Sequence, residues 1–191
     1  NTQKGEIFSL GILCACSGRI LDHEKASAEE CCLLAAELCD GLCEEAFSKL
    51  SDKKILSDGE KAYLEYGCTG IRGEAQSGYR TVLSISLPVY SQFLSEGISQ
   101  NDALIQTLLY LIAGTDDSNV VAKCGTEGAN YAKIAAAEAI RAGGIFTSEG
   151  RSLLREMDAD FSKKHISPGG CADLLAVTHF LYKVYINTDM I

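Results

Sequence analysis

The chain has 191 residues, 47% of them apolar, so one domain of ordinary size with a substantial core is expected. A formal net charge of −9 argues against nucleic acid as a partner, because phosphate backbones are bound by basic surfaces; a phosphorylated small molecule needs only a few local cations. The longest apolar runs, 104–113 and 174–182, are too short to cross a bilayer, and no basic stretch leads into an apolar one at the start; a soluble, cytoplasmic protein with no membrane partner is expected.

The predicted elements are helices throughout. The chain opens on Asn1-Thr2-Gln3-Lys4 without an initiator Met, and a domain that enters a helix so abruptly is expected to be the C-terminal part of a longer protein. A first helix covers about 5–21. Ser27-x-x-Glu30 starts a second that runs towards Leu50, and Ser57-x-x-Glu60 starts a third that stops near Gly67; both patterns are capping boxes. The segment from Arg72 to Gly78 reads as a glycine-spaced loop. The helix after it carries Pro88, which should kink or split it. Ser99 or Asn101 starts the next, ending at Gly114. A short helix through 120–123 precedes an Ala-rich one from Thr126 to Gly143-Gly144. Thr147 or Ser148 starts a helix to about Lys164. Ser167-Pro168 then reads as an N-cap with proline at the first helical position.

The sum is an all-α domain over 1–191, a single compact multi-helix bundle of roughly eight helices. Residues 104–113 carry only Gln106 and Thr107 as polar side chains, and residues 171–182 only Asp173, Thr178 and His179. Helices apolar nearly all round sit at the centre of a bundle, so these two form the expected central buried pair.

Polar clusters lie at the ends of those apolar helices. Carboxylates are costly to bury unless paired or bound to a cation, so the clusters mark a candidate site. Asp116, Asp117 and Asn119 are an oxygen-rich group of the kind Mg²⁺ uses, one or two carboxylates with water and phosphate oxygens; the alternative is that one of the aspartates caps the next helix. Asp158 and Asp160 flank the apolar stripe of Leu153, Leu154, Met157 and Phe161; here the alternative is an ion pair with Arg151, Arg155, Lys163 or Lys164. Ser167, Gly169 and Gly170 open a helix whose N-terminus can receive phosphate, or else form an ordinary capped turn, with Asp173 complementing the dipole. Arg72, Glu74, Ser77 and Gly78, followed by Arg80, combine cations that can hold phosphate with a carboxylate. Lys4 and Lys123 are further phosphate candidates.

The nine cysteines include no Cys-x-x-Cys or Cys-x-x-His pair, so buried reduced thiols are expected in place of a zinc site. His23, His165 and His179 fit no ligand or triad spacing, and His179 is expected to be a satisfied core histidine. No P-loop, dinucleotide fingerprint or nucleophile elbow is present.

Five segments occur together in an order that resembles one family: residues 1–11, Arg72-Gly73-Glu74-Ala75-Gln76-Ser77-Gly78-Tyr79, Thr115-Asp116-Asp117-Ser118-Asn119-Val120, Met157-Asp158-Ala159-Asp160-Phe161, and residues 166–176, which carry Ser167-Pro168-Gly169-Gly170-Cys171-Ala172-Asp173. This chain resembles the triphosphoribosyl-dephospho-CoA synthases, which make the prosthetic-group precursor of citrate lyase and malonate decarboxylase. The resemblance implies that ATP is attacked at the anomeric carbon of its ribose by the 2′-hydroxyl of 3′-dephospho-CoA, with adenine leaving and the triphosphate staying on the sugar. No phosphoryl group moves, which agrees with the missing P-loop.

Such chemistry asks for a divalent cation and a few Lys or Arg on the triphosphate, and for a carboxylate that stabilises the oxocarbenium-like sugar or takes the hydroxyl proton. On the family's segments, Asp116, Asp117 and Asp160 are expected to hold Mg²⁺, with Asp160, Asp117 and Glu74 as the catalytic carboxylates. Ser167, Gly169 and Gly170 are expected on phosphate, with Lys4, Arg72, Ser77 and Gly78 along a nucleotide. Alanine at Asp117 or Asp160 is expected to abolish adenine release while leaving the fold intact.

The family's usual N-terminal segment, with a proline-glycine-leucine-valine-aspartate type motif, is not in this sequence, so such a segment or a second chain is expected to complete the site. His165 stands where relatives are expected to carry a polar amide, and it is not counted as catalytic. Two other readings remain open at this point. One is an all-α enzyme of isoprenoid-synthase type that binds Mg²⁺-diphosphate; the other is a non-catalytic helical remnant.

Overall fold

Local signals set most helix starts in the computed structural model, which describes residues 3–22, 26–48, 50 and 54–187. His23, Asn1 and Thr2 lie outside the described residues. Helix α1 spans Lys4–Ile20 and α2 spans Ala28–Leu38, the latter capped by Ser27, whose hydroxyl accepts the Glu30 N–H at 3.1 Å. The second helix does not continue to Leu50. Gly41, at φ 71°, turns the chain, and a separate α3 covers Leu42–Phe47.

Helix α4 (Asp58–Tyr66) has the full capping box: Ser57 Oγ accepts from Glu60 N–H, and Ser57 N–H donates to Glu60 Oε2 at 2.8 Å. It ends at Gly67, where φ of 71° suits a residue without Cβ. The stretch expected as a loop is in fact α5, Gly70–Gln76. Two glycines in seven residues erase its helical signature in sequence, and packing against α2 and α3 supplies what propensity does not.

At Pro88 the helical segment divides into two types without a break in the helical run. Residues Val82–Ser86 form a wider π-type turn that runs into α6, Leu87–Ser95, with Pro88 in its first turn. The wide turn accommodates the missing N–H and the ring. Ser99 caps α7 (Gln100–Gly114).

Helix α8 runs Ser118–Arg141 and bends at Gly125 (φ 67°, ψ −174°), just before the expected start at Thr126. Thr147 caps α9 (Ser148–Lys164). His165 ends α9 in the left-handed region, φ 56°, a position that otherwise favours glycine or asparagine. Helix α10 spans Gly169–Leu181. Its N-cap position is Pro168, not Ser167, and that residue supplies no side-chain cap of its own.

The described residues are all-α, with ten α-helices and no strand. Helices α7 and α10 pack on each other, and α10 also touches α1, α5, α6 and α8, so the expected central pair is present. Leu109, Leu111 and Ile112 of α7 meet Leu174, Val177 and Leu181 of α10 in the main core, each burial contributing about 1.5–3 kcal/mol.

Ser86 and Thr178 share a hydrogen bond of 2.6 Å in that core. His179 Nδ1 bonds the Tyr90 hydroxyl at 2.9 Å, and burial holds its pKa below the usual value. It is the satisfied core histidine expected. All nine cysteines are free thiols, and six are buried. No helix among the described residues is long and apolar enough to cross a membrane.

Candidate active site

Two adjoining cavities open where α1, α4, α5, α8 and α10 begin. The first, about 460 Å³, is walled by the end of α4, the outward face of α5, the 114–118 turn and the first turns of α10. The second, about 440 Å³, lies between the starts of α1, α4 and α10. Cys68, Thr69, Gly70, Ile71, Ser118 and Gly170 line both. Each volume is that of a small-molecule pocket.

Glu74 faces the first cavity from α5. Burial raises its pKa above the ordinary carboxylate value, against two bonds from Thr81 that lower it: the hydroxyl at 2.5 Å and the N–H at 3.4 Å. A carboxyl held in place with a raised proton affinity is suited to acid–base work. Asp116 lines the same cavity, its side chain 66% exposed and paired with Lys133 of α8 at 2.5 Å.

Asp117 is buried, and both of its oxygens are occupied. Oδ1 accepts the N–H groups of Asn119 (2.9 Å) and Val120 (3.3 Å), which caps α8, and Oδ2 accepts the Cys171 N–H at 2.8 Å. One carboxylate thus ties together the N-termini of α8 and α10. Gly169 and Gly170 make this contact possible. A Cβ at 169 would meet Asn119 Nδ2 at 2.7 Å, and one at 170 would meet Asp117 Oδ2 at 3.1 Å. The anion expected at the start of α10 is therefore, in this structure, a carboxylate of the chain itself.

Several sequence expectations separate here. Arg72 and Lys4 line the second cavity, Glu74, Asp116 and Asp117 the first, and Gly170 both. Ser77, Gly78, Ser167 and Gly169 line neither. Ser77 Oγ donates to the Glu74 carbonyl at 2.9 Å, and Gly78 (φ 73°) lies so close to α2 that a Cβ would meet the Cys32 carbonyl at 2.8 Å. Both serve the turn that ends α5.

Asp160 also lines neither cavity. It accepts the Tyr131 hydroxyl at 2.6 Å and pairs with Lys164, one turn on, at 3.2 Å; these bonds lower its pKa, Tyr131 most. The metal set of Asp116, Asp117 and Asp160 is not assembled, and no group of three or more His, Cys, Asp or Glu among the described residues could hold an ion. The helical periodicity that set Asp160 beside an apolar stripe was sound, but the stripe packs α9 on α8. Asp160→Ala is accordingly expected to leave the reaction rate of the chain within about twofold of wild type, since a surface ion pair contributes little; a loss above tenfold would return Asp160 to the site.

Sequence reasoning missed Thr81, Lys133 and Phe47, which carry no motif, and gave no role to Phe8, although it lies within the family segment 1–11. It left Asp173 as a dipole partner. Asp173 faces the second cavity and accepts the Glu6 N–H at the start of α1. Its pKa is pushed up to about 6, chiefly by burial, which the Glu6 N–H opposes and the Glu6 and Asp117 charges reinforce. Gly5 lets it approach: a Cβ there would sit 2.0 Å from Asp173 Oδ2.

Residues 1–188 match the family described as CitG, ATP:dephospho-CoA triphosphoribosyl transferase. The chain belongs to that family. The 2-(5''-triphosphoribosyl)-3'-dephosphocoenzyme-A synthase of Klebsiella pneumoniae is a relative, 40% identical over 182 residues, which are 95% of this chain and 60% of that protein. The chain thus spans about three-fifths of the length of this triphosphoribosyl transferase relative. No solved structure matches it. Membership of the triphosphoribosyl transferase family removes the support for an isoprenoid-synthase reading, which also wanted two aspartate motifs facing each other.

Proposed function

We propose that this chain carries the ATP-handling site of a triphosphoribosyl transferase, which joins ATP to 3′-dephospho-CoA and releases adenine. The observation that carries the reading is the first cavity, where Glu74 and Asp116 face the same space at the wall shared with a second cavity. The acceptor 2′-hydroxyl forms the new C–O bond at the anomeric carbon of the ATP ribose while the bond to adenine breaks. Glu74 takes the hydroxyl proton, and the departing adenine takes one up, so protons balance. Its raised pKa brings the base nearer to the working pH.

The donor set fits Mg²⁺ only in a reduced form. The ion needs one or two carboxylates, with water and phosphate oxygens completing its shell. Asp116 is exposed enough to serve, whereas Asp117 already accepts three backbone N–H groups. Mg²⁺ held by Asp116 would help neutralise the triphosphate. The product would serve as precursor of the citrate lyase or malonate decarboxylase prosthetic group.

Adenine release, followed by chromatography with and without 3′-dephospho-CoA and Mg²⁺, tests the reading. Adenine formed only when all components are present is the expected result. ATP binding without release would assign part of the reaction to a segment or chain outside these residues. Neither binding nor release by folded chain would overturn the proposal and favour a non-catalytic helical module.

A further inference from the structure

The second cavity differs from the first in chemistry. Its cations are Lys4, at the start of α1, and Arg72, on α5; both are exposed, and neither forms an ion pair among the described residues. The carboxylates in its wall are already engaged. Asp58 pairs with Lys61 at 3.5 Å, and Asp173 accepts the Glu6 N–H.

Two aromatic rings, Phe8 and Phe47, complete the lining, and Phe47 is fixed by stacking on Tyr63 with centroids 3.8 Å apart and planes 7° apart. Two unengaged cations beside two aromatic rings, one of them held by stacking, suit a molecule with a diphosphate and a planar base. Arginine binds phosphate through paired donors, and a base is held on aromatic faces. The carboxylate-lined first cavity offers no such pair of cations.

We propose that the second cavity binds the acceptor, with the diphosphate of 3′-dephospho-CoA on Lys4 and Arg72 and its adenine against Phe8 and Phe47. This assignment rests on the transferase reading. It places donor and acceptor in separate lobes that meet at Thr69, Gly70 and Gly170, where the acceptor ribose can present its 2′-hydroxyl to the ATP ribose. Glycine at 70, with φ of 57° and a Cβ position 2.7 Å from Ser118 Oγ, keeps that shared wall thin. The pantetheine arm would then run outwards from the diphosphate.

Calorimetric titration of the intact chain with 3′-dephospho-CoA and, separately, with ATP and Mg²⁺ tests this. Arg72→Ala and Lys4→Ala are each expected to weaken 3′-dephospho-CoA binding by about 10- to 100-fold, the size of a lost charge-assisted bond. ATP affinity should stay within about twofold, because the donor lobe does not contain either residue. Both side chains are exposed, so thermal melting should be unchanged and loss of fold would be visible. Equal or larger losses for ATP would overturn the assignment and move the donor phosphates to these cations, while leaving the transferase reading intact. Unchanged affinities for both ligands, or no 3′-dephospho-CoA binding by the wild-type chain, would also overturn it. Failure of the transferase reading shows differently, as a folded wild-type chain that neither binds ATP nor releases adenine.

Discussion

Glu74→Gln is expected to lower adenine release by about 10²- to 10⁴-fold, the usual contribution of a positioned general base, with little change in melting temperature. The amide oxygen can still accept the Thr81 N–H and the amide NH2 can donate to the Thr81 hydroxyl, one contact for each former carboxylate oxygen, but the amide takes up no proton. The pH profile carries the same claim with a definite sign. Burial raises the Glu74 pKa, and a base works only when ionised. Wild-type kcat should therefore fall as pH drops, through a midpoint above the ordinary carboxylate range. The glutamine variant should lack that limb at its residual rate. A variant with wild-type turnover, or with the same acidic limb, would remove Glu74 from the chemistry.

Asp117→Ala should act through the fold. The side chain caps α8 through two N–H groups and receives the Cys171 N–H of α10. Losing an N-cap costs about 0.5–2 kcal/mol, and losing a hydrogen bond to a charged group about 1.5–3 kcal/mol. Together these predict a drop on the order of 10 °C in Tm for a chain of this size, read by circular dichroism or calorimetry. Asp117→Asn keeps the acceptor for the α8 cap but turns an amide towards Cys171 N–H, so it should fall between alanine and wild type. An alanine variant melting within about 2 °C of wild type would refute the structural role. This replaces the expectation from sequence that Asp117 could be removed without harm to the fold. The two adjacent aspartates divide the work: Asp117 holds two helices together, and Asp116 remains available to a ligand.

The contrast between neighbours shows what kind of information each level holds. Helix starts at Ser27, Ser57, Ser99 and Thr147 were legible in sequence, because a cap bonds an N–H two or three residues away. The buried pair α7 and α10 was legible for a similar reason, since a helix without a polar face has to sit inside. The short α5 was not: with two glycines it is held by its neighbours more than by its own propensity. Its recognition as a helix is what turns Arg72 towards one cavity and Glu74 towards the other, where a loop reading had placed them on one ligand together with Ser77 and Gly78.

By itself, the sequence determined the all-α class, the central helix pair, the polar clusters at helix ends and the family. Only the tertiary structure decided which of those clusters meet. Asp117 joins Cys171 across 54 residues, and Asp173 joins Glu6 across most of the chain, whereas Asp160 is drawn to Tyr131 and Lys164 and away from the cavities. A carboxylate beside an apolar stripe looks the same in sequence whether that stripe packs against a pocket or against another helix. The choice between them is made by which helix faces bury each other, and that depends on the whole core at once.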